Sequence, residues 1–322
     1  MLASHRLSLA WIGRGVEIER KFVPCTIKKG SEMIEMRYEA PRTLKAAVAL
    51  LAAANGRAKV LAGGTDLLIQ MRSGRIDPEL LIDVKCIPEL RTIAEEKGGY
   101  RFGAAVSAME LVEHEGLARM WPGVIDAVKL IGSIQVKGRA TVGGNLCNAS
   151  PAADSVPALV AAGALARIIG PGGRREVPVE EIPAGPGLTS LRAGEMVVSI
   201  LLPKRPQRSG DAYLRFTPRT EMDIAVVGAG VNLTLNAKGV CTRARVSLGA
   251  VAERVLLLPD AAAALIGQRV DAAALERLAA AASAACRPID DKRGTKEYRI
   301  KVAGVMARRA AQIAVKRAKG EV

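Results

Sequence analysis

Two double-glycine segments offer the clearest chemistry in the chain. The first is Ala62-Gly63-Gly64-Thr65-Asp66; the second is Thr141-Val142-Gly143-Gly144-Asn145, which continues through Asn148-Ala149-Ser150-Pro151-Ala152-Ala153 to Asp154. Glycine has no Cβ, so the backbone N–H groups can reach phosphate oxygens directly, while Thr65, Thr141, Asn145, Asn148 and Ser150 add short donors. One such segment alone reads equally well as a plain strand-to-helix turn. Two could close on a single diphosphate from opposite sides. Four neutral donors to a dianionic diphosphate, at about 1.5–3 kcal/mol each, give about 6–12 kcal/mol before desolvation and ordering costs. Asp66 is placed to cap the segment that follows it, and Asp154 could accept hydrogen bonds from ribose hydroxyls or an adenine amine.

Other clusters carry less. Val227-Gly228-Ala229-Gly230-Val231-Asn232-Leu233 begins like a dinucleotide fingerprint, but Leu233 fills the position of the third glycine, and close packing within a strand is the simpler reading. The five cysteines, Cys25, Cys86, Cys147, Cys241 and Cys286, are scattered without a paired motif. With only His5 and His114 beside them, they point away from a zinc or iron–sulfur site and toward small apolar packing residues in a reducing compartment.

The elements that position the two turns can be read from periodicity. Residues 1–35 are broken by Gly13, Gly15, Pro24 and Gly30 and read as an irregular extension, with order starting at Met36. Pro41 suits a helix first turn, Leu44 to Ala52 follows at helical spacing, and Asn55-Gly56 ends it. Strand-like stretches at Lys59 to Ala62 and Leu80 to Val84 make a small α/β lobe around the first turn. A second lobe runs from about Tyr100, with a capping box at Ser107 to Glu110, a helix over Val124 to Ile131, a hairpin through Pro171-Gly172-Gly173 and a strand at Met196 to Leu202. A third begins near Asp211, with strands at Ala225 to Leu235 and Val240 to Val251. The alternation of Thr242, Ala244, Val246 and Leu248 with Arg243, Arg245 and Ser247 predicts one buried face. Helices follow at Pro259 to Ile266, Ala272 to Ala285 after an Asp271 cap, and Thr295 to about Lys319.

Composition excludes several classes. The 322 residues are 49% hydrophobic, yet no apolar run reaches the ~18 residues that a membrane span needs. Residues 7–12 are too short for a secretory signal, so the expectation is a cytoplasmic protein. The net charge of +15 invites a nucleic-acid reading, but aromatics are only 3% of the chain, leaving few platforms for stacking bases. About half the excess lies in the last stretch: from Arg287 onward eleven basic residues face four acidic ones, a net +7. No nucleic-acid partner is expected. The C-terminal helix should pack an apolar face, including Ile300, Val302, Val305, Met306, Ala310 and Ile313, and turn Arg299, Arg308, Arg309, Lys316, Arg317 and Lys319 outward.

Taken in order, five segments resemble the FAD-binding subunits of molybdenum hydroxylases, the group that includes the medium subunit of carbon monoxide dehydrogenase and the flavin segment of xanthine dehydrogenase. They are Ala62 to Leu68, Gln135 to Asn145, Asn148 to Asp154, Arg219 to Ala225, and Arg293 to Arg299. The resemblance implies an α+β chain with a PCMH-type FAD-binding domain over residues 36–209, made of two α/β subdomains at about 36–90 and 91–209. A C-terminal α/β domain of the carbon monoxide dehydrogenase flavoprotein type would then span 210–322. It further implies non-covalent FAD, with Ala62, Gly63, Gly64, Thr65, Asp66, Thr141, Gly143, Gly144 and Asn145 at the pyrophosphate, Asn148 beside them and Asp154 on the adenosine. Ile131, Gly132 and Val197 match positions lining the flavin, Arg215 matches a basic residue by the ring, and Arg219 to Asp223 match a mobile loop beside it. Met222 departs from the pattern, which has an acid there. An oxidoreductase subunit is expected, with molybdopterin on a large partner subunit and iron–sulfur clusters on a small one. The competing expectation is a self-contained flavin oxidoreductase of the same fold.

Overall fold

The structure, a computed structural model, describes residues 25–29, 32–219 and 222–321. Its first long strand comes from an alternation that the glycine punctuation hides: Ile34, Met36 and Tyr38 alternate with Glu35, Arg37 and Glu39, the period-2 pattern of a strand. Strand β1 (Cys25–Lys29) pairs antiparallel with β2 (Glu32–Glu39), so regular structure starts before Met36, contrary to the irregular stretch expected over 1–35. Residues 1–24 of that stretch lie outside the described residues.

The first lobe continues with helix α1 (Leu44–Ala53), β3 (Ala58–Leu61), α2 (Leu67–Arg72) and β4 (Leu80–Asp83) in a sheet of order β1-β2-β4-β3. Strands β2, β4 and β3 are parallel, and their connections return over the sheet through α1 and α2. Thr43, whose hydroxyl accepts from the Ala46 N–H, starts α1, so Pro41 lies ahead of the helix instead of in its first turn. Asn55 and Gly56 then take positive φ, 48° and 87°, and turn the chain into β3.

The second lobe is an antiparallel sheet of order β5-β6-β11-β7-β8, made of β5 (Ile93–Glu96), β6 (Gly99–Gly103), β7 (Leu165–Gly170), β8 (Gly173–Pro178) and, after the short pair β9 (Pro183–Gly185) and β10 (Leu188–Thr189), β11 (Met196–Leu202). Between β6 and β7 run α3 (Ala108–Glu113), α4 (Glu115–Met120), α5 (Pro122–Lys129), α6 (Ile134–Lys137), α7 (Val142–Cys147) and α8 (Ser155–Ala162). The capping box at Ser107 forms as expected, with both reciprocal bonds to Glu110. His114 sits between α3 and α4, and its Nδ1 accepts from the Leu117 N–H. The first two lobes share one core, in which Ile82, Ile87, Leu90, Phe102, Leu146 and Ile200 are buried together.

The third lobe is an antiparallel sheet of β12 (Ser209–Phe216), β13 (Val227–Leu235), β14 (Cys241–Gly249) and β15 (Leu256–Leu257), followed by α9 (Pro259–Ala263), α10 (Ala272–Ala285) and α11 (Lys296–Lys319). Asp271 caps α10 through its side chain as expected, and Thr295, expected as the first residue of the last helix, is instead its cap. The single buried face expected for β14 is corrected: α11 covers one side of the sheet and α8 of the second lobe covers the other, so Ser247 is fully buried. Gly230 shows why the glycine-rich strand is close packing, because a Cβ there would lie 2.6 Å from the Pro157 carbonyl oxygen. On α11 the buried line is alanine (Ala303, Ala307, Ala310, Ala311, Ala314), which lets the helix approach the sheet closely. Two of its cations do not face outward as expected. Arg299 is buried, donating to the Val226 and Ala250 carbonyls and pairing with Asp291, while Arg317 pairs with Asp126 across the lobe boundary.

Candidate functional site

The two glycine turns meet. A Cβ on Gly63 would stand 2.2 Å from the Arg139 carbonyl oxygen and 2.9 Å from Ala140 Cα, so this glycine lets the turn after β3 lie directly against the segment that enters α7. Gly143 serves a similar approach, to the backbone of Ala104 at the end of β6. Gln70 on α2 donates to Asn148 Oδ1 at 2.8 Å and ties the two turns a second time. Each turn is also anchored from behind. Lys85 donates to the Ala62 carbonyl at 3.0 Å and pairs with Asp83 at 2.8 Å, and the Ala108 N–H bonds to the Ala140 carbonyl. Burial would raise the Asp83 carboxyl, but the bonds from Lys85 and Tyr38 outweigh it and hold its pKa below the usual range.

Between the turns opens a cavity of about 460 Å³. Its wall includes Ala62, Gly63, Gly64, Thr65, Asp66, Thr141, Gly143, Gly144, Asn145 and Asn148, together with Ile131 and Val197. The donors face it in a defined state. Thr141 Oγ1 accepts from the Gly144 N–H at 2.9 Å, which leaves the hydroxyl hydrogen to give away. Asn145 Oδ1 accepts from Ser155, and Asn148 Oδ1 from Gln70, so both amides present their NH₂ ends as donors. Of the first-turn N–H groups of α7, that of Gly144 is taken by Thr141, while those of Val142 and Gly143 have no acceptor within the helix. Gly64, at φ +79°, is in the left-handed region, and Gly144 leaves the wall bare beside the Thr141 hydroxyl. These are the features a diphosphate-bearing cofactor requires.

Asp66 stands at the start of α2 but makes no side-chain capping bond, because its own backbone is already helical (φ −98°, ψ −48°) and turns the carboxylate away from the N–H groups ahead. Gly132, Asp154, Arg215, Arg219 and Asp223 stand outside the cavity wall. Asp154 is instead paired with Arg215 at 2.7 Å and accepts from the Tyr213 hydroxyl at 3.1 Å, and Arg215 also donates to the Leu130 carbonyl at 3.2 Å, directly before Ile131 in the wall. Burial pushes the Asp154 carboxyl up to about 6 against the pull of Arg215 and Tyr213. Asp223 joins Arg219 at 3.3 Å and Arg293 at 3.2 Å, bringing the last two sequence motifs together; the Ile224 N–H and Arg219 first, then Arg293, hold its pKa down at about 2.

The wall also contains residues that sequence reasoning did not single out. Gln70 had a usable signal, as a polar residue inside the apolar run Leu67 to Met71. Lys59 and Val60 lie on β3 directly before the first turn, so their nearness to it was legible though no role was read for them; the approach to β11 with Leu191, Arg192, Glu195 and Met196 had no signal, since only the fold brings it alongside the turns. Cys147 lines the cavity as a thiol that burial pushes up to about 12, which keeps it protonated and unreactive. Among the described residues no group of His, Cys, Asp and Glu could hold a metal ion, and no helix is long and apolar enough to cross a membrane.

Two facing lobes hold the cavity between their paired glycine turns, every wall residue coming from these two lobes, and the backbone and amide donors in it suit a diphosphate-bearing cofactor. Residues 33–205 match the FAD binding domain in molybdopterin dehydrogenase, and residues 212–314 match the CO dehydrogenase flavoprotein C-terminal domain. The chain therefore belongs to the FAD-binding domain family of the molybdopterin dehydrogenases. It is 35% identical over 282 residues to the carbon monoxide dehydrogenase medium chain of Afipia carboxidovorans, covering 88% of this chain and 97% of that one. To the putative xanthine dehydrogenase FAD-binding subunit of Escherichia coli K12 it is 31% identical over 288 residues, covering 88% and 98%. The crystal structure of cyanide-inactivated Cu,Mo-CO dehydrogenase superposes with a TM-score of 0.84 at 34% identity, over 88% of this chain and 98% of that chain. Quinoline 2-oxidoreductase from Pseudomonas putida 86 does so at 0.82 and 27% identity, again over 88% and 98%.

Proposed function

We propose that this chain holds FAD non-covalently and works as the electron-transfer subunit of a molybdenum-containing hydroxylase or dehydrogenase. In this reading substrate is oxidised at molybdopterin on a large partner subunit, electrons cross iron–sulfur clusters on a small one, and this chain passes them to an external acceptor. The observation that carries the cofactor assignment is the direct contact of the two glycine turns, which makes one diphosphate-sized cradle from segments far apart in sequence. Thr141, Asn145, Asn148 and the α7 N–H groups donate to the diphosphate, while Ile131 and Val197 supply apolar wall and exclude water from the flavin side. FAD, when bound, supplies the redox chemistry. The chain's own groups bind and orient it.

Non-covalent attachment follows from what the candidate nucleophiles are doing. Cys147 is held as the neutral thiol, and His114 spends its Nδ1 on the Leu117 N–H between α3 and α4. The similarity to medium chains and FAD-binding subunits, over nearly their whole length, supports the placing of molybdenum and iron–sulfur chemistry on partner chains.

The test is direct. The purified chain should be yellow, should release intact FAD on denaturation, and should contain neither molybdenum nor iron by metal analysis. It should show at most weak reductase activity alone, with substrate hydroxylation appearing only when the partner subunits are present. Hydroxylation of substrate by the metal-free chain would overturn the reading in favour of a self-contained flavoenzyme.

A further inference from the structure

Behind the flavin side of the cavity lies a buried polar chain that begins on the third lobe. Tyr213 on β12 is 3% exposed, and its hydroxyl donates to Asp154 Oδ1 at 3.1 Å. Asp154 Oδ2 takes Arg215 Nη1 at 2.7 Å, and that same nitrogen donates to the Leu130 carbonyl at 3.2 Å. Leu130 ends α5 and is followed by Ile131, which lines the cavity, and by Gly132, held at φ +56°. We infer that Tyr213 is a positioning residue for the flavin: its hydroxyl fixes Asp154, Asp154 aims Arg215, and Arg215 holds the turn that presents Ile131 to the cavity. This rests on FAD occupying that cavity.

Two independent features show that space and partners are reserved for the hydroxyl. A Cβ on Gly228, which stands opposite Arg215 in the β12–β13 ladder and so diagonal to Tyr213, would lie 2.5 Å from the Tyr213 oxygen. A glycine in mid-strand weakens the strand, and here it leaves room for that oxygen. Asp154, at the start of α8, makes no side-chain capping bond, and its carboxylate is given over to Tyr213 and Arg215 instead.

The charged and titratable groups that bear on Asp154 are Arg215 and Tyr213, both from β12; Arg215 in turn reaches the Leu130 carbonyl at the end of α5, and Gly228 of β13 lies against the Tyr213 oxygen. On the far side of the turn, Lys137 donates to the Lys129 and Gly132 carbonyls, so cations pin the turn from both sides. Burial and the neighbouring Asp154 hold the Tyr213 phenol well above its ordinary pKa, so it remains a proton donor throughout the neutral range. Asp154 is the titrating member.

The experiment measures FAD affinity of the full chain by flavin fluorescence from about pH 5 to 8, with thermal unfolding recorded for each variant. For the wild type, affinity should change around pH 6, where Asp154 titrates. Tyr213→Phe removes one donor from the carboxylate; it should weaken FAD about two- to tenfold and move the inflection to higher pH. Asp154→Asn should abolish the inflection, and Arg215→Lys should retain part of the affinity lost in Arg215→Ala. Gly228→Ala, which displaces the hydroxyl without removing it, should repeat the Tyr213→Phe shift and serves if that variant does not fold. Either folded variant with wild-type affinity and an unmoved inflection overturns the inference. Failure of the wild-type chain to bind FAD at all would instead overturn the cofactor assignment on which it rests.

Discussion

At the residue scale, the glycines of the two turns divide into those that make room for protein and one that makes room for ligand. Gly63 and Gly143 are pressed against neighbouring backbone, whereas Gly144 is exposed in the cavity wall with only the Thr141 hydroxyl close by. Gly144→Val should therefore reduce FAD content to below about a tenth of the wild-type ratio while the cofactor-free protein keeps its melting temperature within a few degrees, since Gly is a poor helix residue and Val costs little in its place. Gly63→Ala should lose both FAD and stability. Absorbance ratios at 280 and ~450 nm with calorimetry separate the two, and full flavin occupancy in Gly144→Val would falsify the cradle. The turns themselves were legible from residue types, because glycine next to short donors says what backbone can do. The partners of Asp154 and Arg215 were not: no local pattern in the sequence links the two, and only the fold reveals that they pair with one another.

At the scale of elements, the caps at Ser107 and Asp271 were legible to the residue, because a cap is a local bond between near neighbours in sequence, whereas the one expected at Asp66 does not form. What packs on what is not local. The α8 helix on the back of β14, and the burial of Arg299 within a helix full of exposed cations, depend on chain segments tens of residues away. Close approach of elements yields two predictions. A Cβ on Gly210 of β12 would meet the Ala314 carbonyl of α11 at 1.8 Å, so Gly210→Ala should destabilise the protein by about 1–3 kcal/mol in urea unfolding, with wild-type stability counting against this packing. The second concerns Asp211, which accepts from the Val124 N–H at the start of α5 and lies 3.0 Å from Arg205. Burial raises its carboxyl to about 6, despite Arg205 and Arg317. Because this folded pKa lies above the unfolded value, the contribution is fully present below about pH 4 and is lost as pH rises through 6. The wild type should thus lose stability relative to Asp211→Asn by up to about 3 kcal/mol between those limits, and a pH-independent difference would refute it.

For the whole molecule, the first two lobes form one core and the third another. The β2–β4 ladder uses Arg37, Tyr38 and Glu39, so a chain beginning at Met36 keeps it while losing β1 and the start of β2. Such a chain should fold and bind FAD at near the wild-type ratio, with a modest drop in melting temperature; failure to take up FAD would show the outer hairpin to be required. Two third-lobe residues cross the boundary between the cores: Val255, and Tyr213 on β12, are buried in the core of the first two lobes. During N-to-C synthesis both glycine turns therefore leave the ribosome well before the strand that completes the wall behind Ile131. A nascent chain can bring the two turns together and still lack the buttress for the ring, so full cofactor affinity waits until β12 (Ser209–Phe216) has emerged and packed, and a chain ending after residue 205 should hold flavin less tightly than the full chain.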